Sequence, residues 1–188
     1  MDRVLVVSGS QQGFSGISSF LKSCGCQECV HIESGSEAKQ RLSIEEFDLI
    51  VINTPLKDEF GYNFAVSVSE RTISGIIFIC KADMADDISE KVMDYGIYVV
   101  SKPLNKYMFQ QAIRMAMVTH SRMTGLKKEN QKLQSKINEM RYINQAKYLL
   151  IQNLGYSEED AHKYIEKTAM DTRRTKMEVA MSIIQQYS

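Results

Sequence analysis

Five short apolar runs punctuate the first hundred residues, at 4–7, 29–32, 49–52, 76–80 and 97–100. Each is nearly continuous and rich in Val and Ile, where a half-buried strand would alternate apolar with polar positions. Such runs predict strands covered on both faces, which is the setting of a parallel sheet. Between them the period changes to that of a helix: Phe14, Ile17, Phe20 and Leu21 fall on one face, and Ile88, Val92 and Met93 on another. Five strands alternating with helices predict an α/β fold, a doubly wound five-stranded parallel sheet.

Pro103 closes the fifth run, and from 105 to about 153 only Gly125 interrupts a helical composition. A heptad runs through this stretch, with Met123, Asn130 and Ile137 at a and Leu126, Leu133 and Met140 at d. A lone Asn at a is the device that specifies parallel two-stranded coiled coils, so the seam predicts a homodimer. The flanking e and g residues (Arg122, Lys127, Glu129, Gln134, Lys136, Arg141) offer little attraction between chains, and an amphipathic helix packed on its own domain is the alternative. Gly155 suits the position just past a helix end. Ser157 then reads as an N-cap, with Glu158, Glu159 and Asp160 in the favoured first turn. Thr175-Lys176-Met177-Glu178 matches a capping box. Ala161, Tyr164, Ile165, Ala169 and Met170 follow one face of the penultimate helix, and Val179, Ala180, Ile183 and Ile184 one face of the last. With the end of the long helix these make a three-helix unit, whose alanines mark close helix contacts.

Composition changes the picture little. Of 188 residues, 44% are hydrophobic and 24% charged, as in ordinary globular chains. No apolar stretch approaches the roughly 20 residues that cross a bilayer. The first apolar run ends at Ser8, too soon for a signal peptide, and a cytoplasmic location with no membrane partner is expected. The four cysteines are then expected to stay reduced. Charge is uneven: residues 1–125 carry 12 Lys and Arg against 15 Asp and Glu, a net of −3, and residues 126–188 carry 11 against 8, a net of +3. The basic tail is compatible with a polyanionic partner or with a solvated face.

The strand–helix order, Asp48-Leu49-Ile50-Val51-Ile52-Asn53 followed by Gly61, and Val99-Val100-Ser101-Lys102-Pro103 resemble a two-component receiver (flavodoxin-like) over roughly residues 1–120. The resemblance implies a phosphoacceptor Asp at the end of the third strand, an acidic Mg²⁺-binding pair after the first, a Thr or Ser switch after the fourth, and a Lys before Pro. Only Lys102-Pro103 survives. Asn53 stands at the acceptor position, Ser8-Gly9-Ser10 at the acidic pair and Cys80 at the switch. An acyl phosphate needs a carboxylate nucleophile and a cation held by anionic oxygens, so a pseudo-receiver without Asp phosphorylation is expected. Asp58, past the strand end, should point away from the crevice, and Lys102 should bond Asn53 or nearby backbone. Cys24, Cys26 and Cys29 lack the second distant pair usual in zinc sites and read as incidental. His120 and His162 read as surface residues. No nucleophile–base pair or Gly-rich phosphate loop occurs, so no enzyme, metal or cofactor is expected.

Arg141-x-Ile143-x-Gln145-Ala146-Lys147, Gly155-Tyr156-Ser157-Glu158-Glu159-x-Ala161, Ala169-Met170-Asp171-x-Arg173-Arg174 and Glu178-Val179-Ala180 resemble the ANTAR family, the RNA-binding output domain of antiterminators. Tyr148 stands where that family often has Gly. The resemblance implies a response-regulator antiterminator that binds paired RNA stem-loops in leader transcripts as a dimer. Loop bases are open to stacking and hydrogen bonding while cations hold phosphates. Arg141, Lys147, Arg173 and Arg174 are the leading contact candidates, with Tyr148, Lys163, Lys167 and Lys176 behind them. The expected organisation is a receiver-like domain at 1–120, a coiled-coil linker at 121–140 and an ANTAR domain at 141–188. A DNA-binding response regulator and a protein-binding adaptor are the rival readings. A regulatory protein or a small ligand could supply the input of the pseudo-receiver.

Overall fold

The computed structural model describes every residue except Asp2 and Ser188. Its elements run β1 (Arg3–Ser8), α1 (Gln11–Ser23), β2 (Glu28–Ile32), α2 (Gly35–Leu42), β3 (Leu49–Asn53), α3 (Tyr62–Arg71), β4 (Gly75–Lys81), α4 (Ala82–Val92), β5 (Ile97–Lys102), α5 (Lys106–Leu154), α6 (Glu158–Thr172) and α7 (Lys176–Tyr187). They form two compact units, Met1–Gly125 and Leu126–Ser188.

In the first unit all strand pairs are parallel and the sheet order is β2-β1-β3-β4-β5. The continuous apolar runs follow from this layering. Leu5, Val7, Ile50, Ile52 and Phe78 project to a core completed by Phe64, Ile88 and Val92 of the helices. Their neighbours Val4, Val6, Leu49, Val51, Ile77 and Ile79 project to the other face, covered by Ile17 and Leu21 of α1 and by Phe109, Ile113 and Ala116 of α5. Because consecutive side chains of a strand leave on opposite faces, a strand buried on both must be apolar throughout. Close approach of α5 has a specific requirement: a Cβ on Gly75 would lie 2.5 Å from the Ala116 carbonyl oxygen.

Three sequence expectations change. Met93 does not extend the apolar face of α4. The helix ends at Val92, a 3-10 turn takes over at Met93–Tyr95, and Met93 is 72% exposed. His120 is not a free surface residue. Its ring Nδ1 donates to the Ile73 carbonyl at 2.8 Å and its Nε2 lies 3.6 Å from Asp48, which ties α5 to the loop before β4. Met170 leaves the apolar stripe of α6 and is 79% exposed.

In the second unit Ala146, Leu150, Ala161, Ile165, Ala169, Val179, Ala180 and Ile183 form one small core, with the alanines buried where helices meet. The turn signals take the places the sequence indicates. Gly155 has φ +69, the left-handed region that favours glycine. The Ser157 hydroxyl accepts the Asp160 N–H at 3.1 Å. Thr175 Oγ1 accepts the Glu178 N–H at 3.2 Å while the Glu178 carboxylate accepts the Thr175 N–H at 2.7 Å, closing the capping box.

Candidate functional site

Beside the C-terminal ends of β3 and β5 and the start of α1 lies a crevice of about 450 Å³, lined among others by Ser10, Gly13, Phe20, Asn53, Lys102 and Leu104. Ser8 and Asn53 stand in register on adjacent strands. Asn53 is 8% exposed, and its Nδ2 donates to the Ser8 hydroxyl at 2.9 Å. Ser8 in turn donates to the Ser10 carbonyl at 3.2 Å, and the Ser10 hydroxyl caps α1 by accepting the Gly13 N–H at 3.2 Å. Lys102 Nζ donates to the Thr54 carbonyl at 2.6 Å, the backbone just past Asn53. Cys80 is fully buried at the end of β4, where burial pushes its thiol up, and burial likewise draws the Lys102 ammonium down from its ordinary value.

Ser8, Ser10 and Asn53 thus form a hydrogen-bonded cluster of hydroxyls and an amide, and the Lys102 amine is bonded to backbone beside it. An amide nitrogen has no free electron pair to offer a phosphoryl group, and the serines provide no anionic oxygen for Mg²⁺. Asp58 does not compensate. Its carboxylate accepts the Gly35 N–H at 2.8 Å and the Ser36 N–H at 2.9 Å, the open donors at the start of α2. Those two backbone bonds hold its pKa down at about 2. Among the described residues no three His, Cys, Asp or Glu side chains are placed to hold a metal ion.

The second unit divides the basic candidates in a way the sequence did not show. Lys147 is half-buried and paired with Glu158 at 3.1 Å. Lys163 pairs with Glu159 at 2.6 Å and Lys176 with Glu166 at 2.5 Å. The Arg174 guanidinium donates to the Glu178 carbonyl at 2.8 Å and to the Ser182 hydroxyl at 2.7 Å, pinning it to α7. Arg141, Lys167 and Arg173 are exposed and make no ion pair among the described residues. Tyr148 is 57% exposed, and its hydroxyl accepts a bond from Gln152 Nε2 at 2.6 Å. Arg173 ends α6 with φ 51 and ψ 37, a left-handed residue other than glycine. Its N–H and that of Arg174 donate to the Met170 and Ala169 carbonyls, which makes the turn a Schellman motif.

The apolar stripe of α5 has two settings. Phe109 and Ala116, two and one heptads before Met123, are buried on the sheet. Met123, Leu126, Leu133, Ile137 and Met140 are between 43% and 64% exposed, and Asn130 is exposed among them.

The sequence model of the ANTAR domain matches residues 131–184. Over 185 residues, 97% of this chain and 89% of the relative, the sequence is 25% identical to the transcriptional regulatory protein PdtaR of Mycobacterium tuberculosis. It is 31% identical over 86 residues to the aliphatic amidase regulator of Pseudomonas aeruginosa, covering 46% of this chain and 44% of that protein. Among solved structures, a response regulator receiver domain from Clostridium thermocellum superposes with a TM-score of 0.55 at 16% identity, covering 62% of this chain and 94% of that one. A CheY-like receiver domain from Methylobacillus flagellatus gives 0.54 at 15% identity, covering 62% and 98%. The parallel sheet and its helices thus have the receiver fold, residues 131–184 after it match the ANTAR domain, and the chain is similar in sequence to bacterial transcriptional regulatory proteins.

Proposed function

We propose that the protein is a transcription antiterminator of the cytoplasm that binds paired RNA stem-loops as a dimer and whose receiver-fold domain works without Asp phosphorylation. The ANTAR match on the helical unit carries this reading, and the surface of that unit fits it. Arg141, Arg173 and Lys167 present exposed cationic heads with no ion-pair partner among the described residues, and Tyr148 offers a ring face on which an unpaired base can stack. Lys147 and Lys176 then serve first to tie α5 and α7 to α6, Lys163 and Arg174 are engaged locally on α6 and α7, and all four contribute to RNA through their field. The exposed seam around Asn130 supplies the second copy, and two linked sites hold paired hairpins far more tightly than one. The role is regulatory, with no reaction catalysed: Asn53 replaces the acceptor, and the hydroxyls of Ser8 and Ser10 replace the metal ligands.

A DNA-binding regulator would present a helix with base-reading side chains to the major groove. The exposed positions of α7 are Glu178, Met181, Gln185 and Gln186, with no cation among them to hold the flanking phosphates that position such a helix. A gel-shift comparison of a loop-bearing RNA with duplex DNA at one salt concentration tests the proposal. Retention of the RNA at concentrations that leave the duplex free supports it, and preference for the duplex ends it. If the protein is instead an adaptor, replacing Arg141 and Arg173 leaves its regulatory activity intact.

A further inference from the structure

The turn between α1 and β2 brings two thiols into contact. Cys26 Sγ and Cys29 Sγ are 3.2 Å apart, and Cys26 Sγ also donates to the Glu28 carbonyl at 3.3 Å. Neither side chain hangs from a loose segment. Gly25, with φ +85, turns the chain out of α1, and the Cys26 N–H returns to the Leu21 carbonyl at 3.1 Å. Cys29 is locked in the sheet, in register with Val4. Cys26 is buried in the core beneath α1, whereas Cys29 is partly open to solvent. Cys24, the third cysteine of the turn, contacts the Ser23 hydroxyl at 4.0 Å. No third ligand completes a metal site among the described residues, so the arrangement is a dithiol.

From this contact we propose that Cys26 and Cys29 form a reversible thiol–disulfide site that is oxidised by hydroperoxides. The accessible Cys29 sulfur attacks the peroxide: the O–O bond breaks, an S–O bond forms, and an alcohol (or water, from hydrogen peroxide) leaves, giving a sulfenic acid. Cys26 sulfur then attacks Cys29 sulfur. The S–S bond forms, the S–O bond breaks, and the departing hydroxide takes the Cys26 proton as water. Two electrons pass from the thiols to the peroxide, and an external dithiol returns them. Burial, with the Cys29 contact next, pushes the Cys26 thiol up from its ordinary value, and its proton passes to the departing hydroxide as the S–S bond forms. The sulfurs must close from 3.2 Å to about 2.05 Å, a movement within reach of side-chain rotation. The site lies at the first residues of β2, on the edge of the sheet, and does not depend on a carboxylate at position 53.

The full-length protein, treated with hydrogen peroxide, blocked with iodoacetamide and digested with trypsin, yields one peptide, residues 23–39, that contains Cys24, Cys26 and Cys29. The proposal expects this peptide to be two hydrogens lighter with a single alkylated cysteine, Cys24, and dithiothreitol to restore three alkylated positions. In urea-unfolded protein the bond should spread over all three pairings. Cys24→Ala should leave the bond intact and Cys29→Ser should abolish it. Recovery of Cys26 and Cys29 both alkylated, a bond that includes Cys24 in the folded protein, or a Cys29 sulfinic acid in place of the bond would overturn the proposal.

Discussion

At the scale of single residues, the front domain turns on what Asn53 and its neighbours can hold. Asn53→Asp alone restores the nucleophile's shape without the metal, because Ser8, Gly9 and Ser10 supply no second carboxylate. Millimolar Mg²⁺ is therefore expected to leave the melting temperature of this variant where it leaves the parent's. A Mg²⁺-dependent rise in the variant would show that a cation site persists. Arg173 poses the opposite case, a residue whose local conformation is unfavourable. A left-handed residue with a Cβ is strained by about 1 kcal/mol, and Arg173→Gly should stabilise the bundle by about that amount. The same change should weaken binding to stem-loop RNA about tenfold or more, since a charge-assisted bond is lost. Urea denaturation and fluorescence anisotropy measure the two effects separately, and unchanged RNA affinity would remove Arg173 from the interface.

At the scale of elements, much of the fold could be read from pattern. Continuous runs such as 49–52 identify buried parallel strands because both faces of β3 are covered. Ser157 and Thr175 identify helix starts because capping is a matter of neighbouring residues. Interactions that join distant segments left no such signal. Nothing local marks His120 as the partner of Ile73, or separates Lys147, committed to Glu158, from Arg141, which is not. The same holds for Asp58, whose tie to α2 spans 22 residues. Asp58→Ala removes the acceptor of two open N–H groups and should cost about 1 kcal/mol at neutral pH. The folded carboxyl titrates near 2 instead of 3.8, so its contribution is present above pH 3.8 and disappears as the pH falls toward 2. Variant and parent should accordingly draw together in stability as the pH falls from 3.8 through 2; a gap undiminished at pH 2 would contradict this role. For α5, Ile137→Asp places a charge in the exposed seam and should give a monomer by sedimentation velocity with the helical content retained.

For the whole molecule, the proposed function assigns different work to the two units. The receiver-fold unit lines the C-terminal end of its sheet with an amide and hydroxyls beside a buried thiol. The helical unit buries a small alanine-rich core, and Arg141, Lys167, Arg173 and the ring of Tyr148 stand at its surface. Neither basic charge nor ring area is large on one copy, and the proposed function accordingly rests on duplication through the α5 stripe. The most direct test is the affinity of the full chain for an RNA with two tandem hairpins compared with one hairpin, at fixed salt, for the parent and for Ile137→Asp. With two sites acting together, the tandem RNA should bind about 100-fold more tightly to the parent, and the variant should lose that advantage while keeping its grip on the single hairpin. Equal affinity of the parent for one and two hairpins, or no binding to either, would contradict the account.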